Sequence, residues 1–416
     1  MLLSALYTLY LSFYFLRLHE YRPETAESDI LFLTLAICLL IYLFKREKNL
    51  SVIQTTMLVG LFCAAIMSHV TQFYLQGVIN TADELLRLFV LYFISASLFI
   101  DKFRLKYYFK IFSICALVIA VHGINQFHGG GIGWTGESLY LNRVRYIGVF
   151  NDPNDMGMLL LVSLPFILYT IKQYKFILPK LIWASTLPLL LYAIYLTGSR
   201  GTMLGLLLMV AVNAWFKFKR VVSLFLIAIT VPIAFSLTQL STISSGDASS
   251  AGRIDAWGSG IQMLKSNPLF GVGYGLFTVH HPIPAHNSYV QVFSEIGLVG
   301  YFFWLGFLAM SMYGLYKFSY KFNISNEKSE LYLEHKSVAT TVLFSLLGFA
   351  ITSYFISRSV QPLLFILCAM SAGVYYQIRK NFPEFEMLRL SNSYRICAFL
   401  VVCSILFVYA SIRAFW

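Results

Sequence analysis

The chain has 416 residues, of which 58% are hydrophobic and only 12% are charged. A water-soluble domain carries about 25% charged residues, so this composition excludes a soluble globular protein and predicts a protein embedded in a bilayer. The 31 Lys and Arg outnumber the 19 Asp and Glu. In a membrane protein such an excess reflects topology first, and we do not expect a nucleic-acid partner.

Apolar runs divided by charged or glycine-rich breaks predict membrane-spanning helices along the whole chain. A helix needs roughly 20 apolar residues to cross about 30 Å of hydrocarbon, and the runs lack the strict alternation of barrel strands. We therefore predict an all-α polytopic membrane protein with about 12 to 13 transmembrane helices in a single transmembrane domain, residues 1–416. The runs lie near residues 2–18, 29–44, 51–70, 85–100, 107–125, 153–171, 178–196, 201–216, 221–238, 288–316, 338–357, 361–377 and 394–413.

The basic residues predict how the helices are oriented. With the N-terminus in the cytoplasm, about two-thirds of the Lys and Arg fall in cytoplasmic loops, as the positive-inside rule requires. The two longest loops, 126–152 and 239–287, then lie on the opposite side. Long glycine-containing loops often carry function, so we expect the active site there, partly in the second loop.

Two arginines lie on this outer side against the positive-inside trend. Arg200 is in the short TGSRG turn, residues 197–201, and Arg253 is in the GRIDAW segment, residues 252–257. Glycines beside both arginines permit close approach of a ligand. A snorkelling charge at Arg200 and a local ion pair between Arg253 and Asp255 are the structural alternatives.

His286 precedes a long apolar helix for which Asn287 or Ser288 is the expected N-cap. The positive end of a helix disfavours a protonated imidazole, so we expect His286 to be neutral and suited to act as a general base. His280 and His281 are neighbouring competitors, but no carboxylate accompanies them, and we expect neither a metal nor a cofactor. Glu295, two turns into the helix, is expected to neutralise or orient an arginine.

The segment FNDPND, residues 150–155, predicts a turn that starts a helix, with Arg143 and Arg145 just before it. The sequence contains no GxxxxGK[ST], HExxH or GxSxG motif, and no Rossmann fingerprint that follows a predicted strand and opens a helix, so soluble nucleotide chemistry is not supported. Our candidate substrate-binding residues are Arg143, Arg145, Trp257, Asn287, Tyr289 and Glu295.

The order of five segments resembles the O-antigen ligase family and the related O-antigen polymerases. They are FNDPND, LTGSRG, GRIDAW, NPLFGVG (residues 267–273) and HNSY followed by EIG (residues 286–289 and 295–297). The resemblance covers roughly residues 145–310, and the flanking helices match in hydropathy.

The resemblance implies a multi-pass glycosyltransferase of the bacterial inner membrane with a C-type fold and a periplasmic active site. Such an enzyme takes a glycan from undecaprenyl diphosphate and passes it to a hydroxyl of lipid A-core, without nucleotide sugar or metal. The family's essential residues correspond to Arg200, Arg253 and His286. The resemblance also implies a partly helical periplasmic loop, with Arg253 to Lys265 as the matching stretch. Direct displacement would invert the anomeric centre.

Other functions remain open. An O-antigen polymerase or a protein O-oligosaccharyltransferase would use the same donor with another acceptor. A transporter or flippase for the lipid-linked glycan should show paired charges deep in several helices and related halves, which the sequence does not suggest. A scaffold would not explain arginines kept on the outer side.

Overall fold

The structure, a computed structural model, describes residues 1–21, 23–45, 47–48, 51–217, 248–322, 330–385 and 390–415. Within these ranges the chain forms helices joined by turns and loops. The α-helices are α1 (Leu2–Leu16), α2 (Pro23–Ala26), α3 (Ile30–Leu43), α4 (Val52–Val70), α5 (Leu75–Leu98), α6 (Lys102–His128), α7 (Pro153–Gln173), α8 (Ile177–Ala184), α9 (Thr186–Leu196), α10 (Arg200–Lys217), α11 (Ala248–Ser266), α12 (Phe277–His280), α13 (Ser288–Tyr320), α14 (Glu330–Thr352), α15 (Pro362–Asn381) and α16 (Leu390–Phe415).

The predicted fold class is confirmed: the chain is an all-α polytopic membrane protein. In the described ranges nine helices are long and apolar enough to cross a membrane, and α1 is a shorter apolar helix. All but one of the predicted runs coincide with helices. The exception, 221–238, lies outside the described residues.

Several boundaries differ from the prediction; α5, for example, begins ten residues before the predicted run 85–100. The run 178–196 forms two helices, α8 and α9, that meet at Ser185. The run 338–357 ends as a helix at Thr352, because the following segment bonds elsewhere: the Ser353 carbonyl accepts the N–H of Ser288. The long helix α13 is interrupted at Gly297, where φ is 65° and ψ is −170°.

The described residues belong to two compact units. The first comprises Met1–Lys48, Ser97–Ser241 and Asn323–Thr352, and the second comprises Asn49–Ala96, Thr242–Phe322 and Ser353–Trp416. The core of the first unit is α7, which is buried along most of its length and packs on α6, α10 and α14. Gly205 of α10 lets this helix approach Leu161 of α7 closely, as small residues do between membrane helices.

The core of the second unit is α13, which runs antiparallel to α4. The pairs Gly60 with Phe303 and Met57 with Gly306 contact along the two helices. Farther along, the buried Gln54 amide donates a hydrogen bond to Ser311 Oγ at 2.7 Å. Gln54 and Ser311 lie at the end of the unit that is remote from Ser288. The candidate residues of this unit lie at the opposite end, near Ser288.

Candidate active site

Arg200 is the first residue of α10 and follows a turn that hydrogen-bonds to itself. The Thr197 hydroxyl accepts the N–H of Ser199 at 3.2 Å, and the Ser199 hydroxyl accepts the N–H of Thr202 at 3.3 Å. Gly198 has φ 55°, a left-handed conformation that is strained for a residue with a side chain. These contacts fix the backbone that carries the half-buried Arg200 side chain.

Arg143 contacts the turn that carries Arg200, within the first unit. Its Nε donates a hydrogen bond to the carbonyl oxygen of Thr197 at 2.7 Å. A terminal nitrogen donates to Asn154 Oδ1 at 3.0 Å. The planar guanidinium presents its donors in a rigid fork, and Arg143 thereby joins the TGSRG turn to the FNDPND turn.

Arg145 contacts its own loop. A terminal guanidinium nitrogen lies 3.1 Å from the Glu137 carboxylate, and Nε donates to the carbonyl oxygen of Ser138 at 2.8 Å. The guanidinium also lies 5.8 Å from the centre of the Tyr140 ring. These contacts stabilise the loop between α6 and α7.

The turn at Asp152 starts α7 as predicted. The Asp152 carboxylate accepts the N–H of Asn154 at 2.7 Å, and Pro153 is the first helical residue. Asn154 Oδ1 in turn accepts a hydrogen bond from the Arg143 guanidinium. The turn therefore has two structural tasks, since it caps a helix and holds an arginine.

In the second unit, the helix predicted over Arg253 to Lys265 is present as part of α11. Arg253 and Trp257 lie four residues apart and so project from the same face of the helix. Asp255, which the sequence offered as a local partner of Arg253, has its carboxylate 3.1 Å from His281 Nε2.

His281 links α11 to the loop before α13. Its Nε2 contacts Asp255, and its Nδ1 lies 2.9 Å from the carbonyl oxygen of Ile283. Both ring nitrogens thus have protein partners, which is typical of a structural histidine. His280 is exposed at the end of α12.

His286 has an unusual backbone conformation just before a capped helix. Its φ is 48°, in the left-handed region that residues other than glycine seldom adopt. Asn287 is the N-cap of α13, as predicted, and its Oδ1 accepts the N–H groups of Tyr289 at 3.0 Å and Val290 at 3.2 Å. Strained conformations persist where surrounding contacts hold them, and they cluster at functional sites.

The segment 353–361 wraps the start of α13. The Ser288 N–H donates to the carbonyl oxygen of Ser353 at 2.8 Å, and the Ser288 hydroxyl donates to that of Ile356 at 2.6 Å. The Arg358 N–H donates to Ser288 Oγ at 2.9 Å. Sequence reasoning missed this contact because it assigned residues 338–357 to one helix. The available signal was Pro362, which favours a new helix beginning there.

Glu295 is buried in α13, where it binds the preceding loop. Its Oε1 accepts the N–H of Phe277 at 3.3 Å and the side-chain amide of Gln291 at 3.3 Å. The sequence suggested an arginine as its partner. The contacts that Glu295 makes instead hold the start of α12 against α13.

The NPLFGVG loop pairs with the interruption in α13. Four backbone hydrogen bonds of 2.8 to 3.2 Å join residues 268–273 to residues 294–299. A Cβ on Gly297 would overlap the carbonyl of Leu269, and a Cβ on Gly271 would overlap the backbone of α13. Both glycines also have φ values near 70°. The glycines of this motif therefore serve backbone packing.

Tyr274 fastens the same loop to α4 and α5. Its N–H donates to Ser68 Oγ at 3.0 Å, and its hydroxyl donates to the Glu84 carboxylate at 2.9 Å. Burial, with the nearby carboxylates of Glu84 and Glu295, raises the pKa of Tyr274 well above its usual value. The phenol therefore stays protonated and remains a donor.

The two aromatic residues expected to bind substrate pack against one tyrosine. Trp257 and Tyr289 have their ring centres 5.3 and 6.0 Å from that of Tyr354. Tyr289 also packs edge-on to Trp304 at 5.3 Å. The indole N–H of Trp257 donates to the carbonyl oxygen of Ala285 at 2.8 Å. The segment before His286 is thereby joined to the helix that carries Arg253.

These residues lie at helix ends and in the adjoining loops of a multi-pass membrane protein. Arg143, Arg145 and Arg200 belong to the first unit, and Arg253, Trp257, His286, Asn287, Tyr289 and Glu295 belong to the second. The long apolar helices of the described residues define a multi-pass membrane protein.

Comparison with protein families identifies the domain. Residues 185–305 match the model of the O-antigen ligase family, so the predicted resemblance to this family is confirmed. Members of this family are glycosyltransferase-like enzymes that act on lipid-linked glycans. The match contains Arg200, Arg253 and His286. A search of curated proteins gave no match.

Proposed function

We propose that this protein is an O-antigen ligase. It transfers a glycan from undecaprenyl diphosphate to a hydroxyl group of lipid A-core by direct displacement without a metal. The reaction takes place at the periplasmic face of the bacterial inner membrane. Arg200, Arg253 and His286 are the proposed catalytic residues.

The observation that carries this proposal is the family match over residues 185–305, which contains all three proposed catalytic residues. Their local environments are consistent with it. Arg200 follows a self-bonded turn at the start of α10, and His286 is in a strained conformation before a capped helix. Preorganisation of this kind suits groups that act on a bound substrate.

The chemistry needs positive charge at the donor. When the bond between the anomeric carbon and the diphosphate oxygen breaks, negative charge develops on the leaving diphosphate. Forked guanidinium donors stabilise such oxygens well. Arg200 and Arg253 are proposed to hold the diphosphate and stabilise this charge.

The acceptor needs a base. The acceptor hydroxyl oxygen forms the new bond to the anomeric carbon and loses its proton, which the His286 imidazole is proposed to accept. The donor brings its own leaving group, so no nucleotide is required. Attack opposite the diphosphate inverts the anomeric centre.

Arg143, Arg145, Trp257, Asn287, Tyr289 and Glu295 were the candidate substrate-binding residues. Of these, Asn287 is fully buried and acts as the helix cap beside His286, whereas we retain Tyr289 as a substrate-binding proposal. The contacts of Arg143, Arg145 and Glu295 suggest that each acts by holding the turns and loops of its own unit.

Reconstitution tests the proposal. The purified full-length chain is placed in vesicles with undecaprenyl-diphosphate glycan, a chelator and one of three acceptor conditions: lipid A-core, an added acceptor protein, or no further acceptor. We expect glycosylated lipid A-core. Longer lipid-linked chains would identify a polymerase, product on added protein would identify a protein glycosyltransferase, and movement of the glycan across the bilayer without bond formation would identify a flippase.

A further inference from the structure

The peptide bond between Ala285 and His286 is fixed on its carbonyl side by a residue from another helix. The Trp257 indole N–H donates to the Ala285 carbonyl oxygen at 2.8 Å. A peptide unit is planar, so the direction of this carbonyl also sets the direction of the His286 N–H and the plane from which the His286 Cα extends. Trp257 therefore restricts the backbone of the proposed base.

The backbone is fixed on the other side as well. The Asn287 side chain caps α13, so the residue after His286 is held by the first turn of the helix. Between these two restraints His286 has φ 48°. Such a conformation costs free energy in an L residue and relaxes when its restraints are removed.

Trp257 is itself held firmly. It is only 9% exposed, and its ring packs edge-on against Tyr354 with 5.3 Å between ring centres. The Tyr354 hydroxyl donates to Ser411 Oγ at 3.0 Å. Three residues after Trp257, Gly260 lets α11 approach Val290 of α13, where a Cβ would come within 2.5 Å. A sugar-stacking platform needs an open ring face, which this burial restricts.

We propose that Trp257 is a positioning residue, which holds His286 in the orientation that accepts the acceptor's proton by hydrogen-bonding the Ala285 carbonyl. The inference rests on the proposed function of His286. Because Arg253 lies one helical turn before Trp257 on the same face, α11 both carries a proposed diphosphate ligand and orients the base. A shift of α11 would then affect both groups together.

Two substitutions at Trp257 separate the effect of its N–H hydrogen-bond donor from the effect of its ring packing. Trp257→His places an imidazole N–H at the position of the indole N–H but removes the six-membered ring. Trp257→Phe keeps aromatic bulk but removes the donor. Trp304→Phe is the matched control, because the Trp304 indole also donates to a carbonyl oxygen, that of Ser359 at 2.7 Å, in the same unit.

The experiment measures kcat, KM for donor and acceptor, and the thermal unfolding midpoint of the full-length wild type and the three variants in vesicles. A displacement of about 1 Å in a reacting group costs about 100-fold, so we expect Trp257→Phe to lower kcat about 10- to 100-fold with KM nearly unchanged. Trp257→His should retain more kcat than Trp257→Phe, even if it unfolds at a lower temperature. Trp304→Phe should lower the unfolding midpoint while its kcat changes little.

Two results would overturn the inference while wild-type transfer is intact. One is a kcat for Trp257→Phe within about twofold of wild type, since a factor of 2 is far below the effect of misplacing a base. The other is a lower kcat for Trp257→His than for Trp257→Phe, which would show that ring packing is what matters. A wild-type chain without transfer would instead overturn the proposed function.

Discussion

Arg143 donates a hydrogen bond from Nε to the carbonyl oxygen of Thr197, 2.7 Å away and three residues before Arg200. A terminal nitrogen donates to Asn154, which belongs to the turn that starts α7. An arginine that the sequence suggested as a ligand of substrate thus holds the backbone next to a proposed catalytic arginine. The positive charge of the Arg143 guanidinium therefore also lies near the TGSRG turn.

Arg143→Lys tests this arrangement because it keeps the charge and removes the fork of donors. We expect transfer to fall about 10-fold, since an ammonium group does not reproduce two divergent guanidinium contacts. Initial rates in vesicles measure the effect. Arg145→Lys is the comparison: Arg145 contacts its own loop, so this variant should lose less rate for a similar fall in the unfolding temperature. Equal losses of rate would contradict a special role for Arg143.

Alanine at each proposed catalytic residue should abolish transfer while the protein still inserts. Loss of a general base costs about 100- to 10,000-fold, and loss of one charge-stabilising donor costs about 100- to 1,000-fold. We therefore expect His286→Ala, Arg200→Ala and Arg253→Ala to be inactive in the reconstituted assay. Thermal unfolding and gel filtration check that the variants are folded. Wild-type rates in any two of them would rule out this site.

The interruption of α13 should depend on glycine at position 297. An added Cβ would meet the Leu269 carbonyl at a positive φ, so Gly297→Ala should lower the free energy of unfolding by about 3 kcal/mol from overpacking and strain combined. Gly275→Ala is a matched control with φ 73° and no atom within 4 Å of the added Cβ. Gly275→Ala should lower the free energy of unfolding only by the backbone strain, about 1 kcal/mol. Equal effects would show that the loop is free to move away.

Tyr274 should make the second unit sensitive to alkali. Its pKa is raised in the folded chain, mainly by burial, so the folded state keeps the phenolic proton at a pH where the unfolded chain releases it. This contribution to stability is complete below about pH 10, the usual tyrosine value, and is lost as pH rises further. The unfolding midpoint measured from pH 8 to 11 should fall less steeply for Tyr274→Phe than for the wild type. If the unfolding midpoints of the two proteins fell equally with pH, the raised pKa of Tyr274 would be contradicted.

Hydropathy and turn chemistry were sufficient to predict much of the fold. The membrane helices follow from apolar runs of the required length, and the starts of α7 and α13 follow from Asp152 before Pro153 and from Asn287. The interruption at Gly297 was not predicted, since a lone glycine inside an apolar run is also tolerated by a continuous helix. Its cause is backbone pairing with residues 268–273, a non-local contact.

The candidate site was predicted as a set of residue types and not as a set of contacts. The sequence drew attention to Trp257 and Glu295, but it assigned them to substrate and to an arginine. In the structure Trp257 donates to Ala285 and Glu295 accepts from Phe277. Contacts between a helix and a distant loop depend on tertiary packing, which periodicity does not encode.

The length of α13 has a consequence for the reaction itself. The part of α13 after Gly297, Leu298 to Tyr320, extends about 35 Å at 1.5 Å per residue, whereas the hydrocarbon is about 30 Å thick. This part is long enough to cross, so under the proposed periplasmic reaction the turns before Gly297, about 13 Å long, would stand in the hydrated headgroup layer. Water is abundant there and is itself a nucleophile toward an activated sugar. Hydrolysis of the donor should therefore be the principal side reaction of this protein when no acceptor is bound.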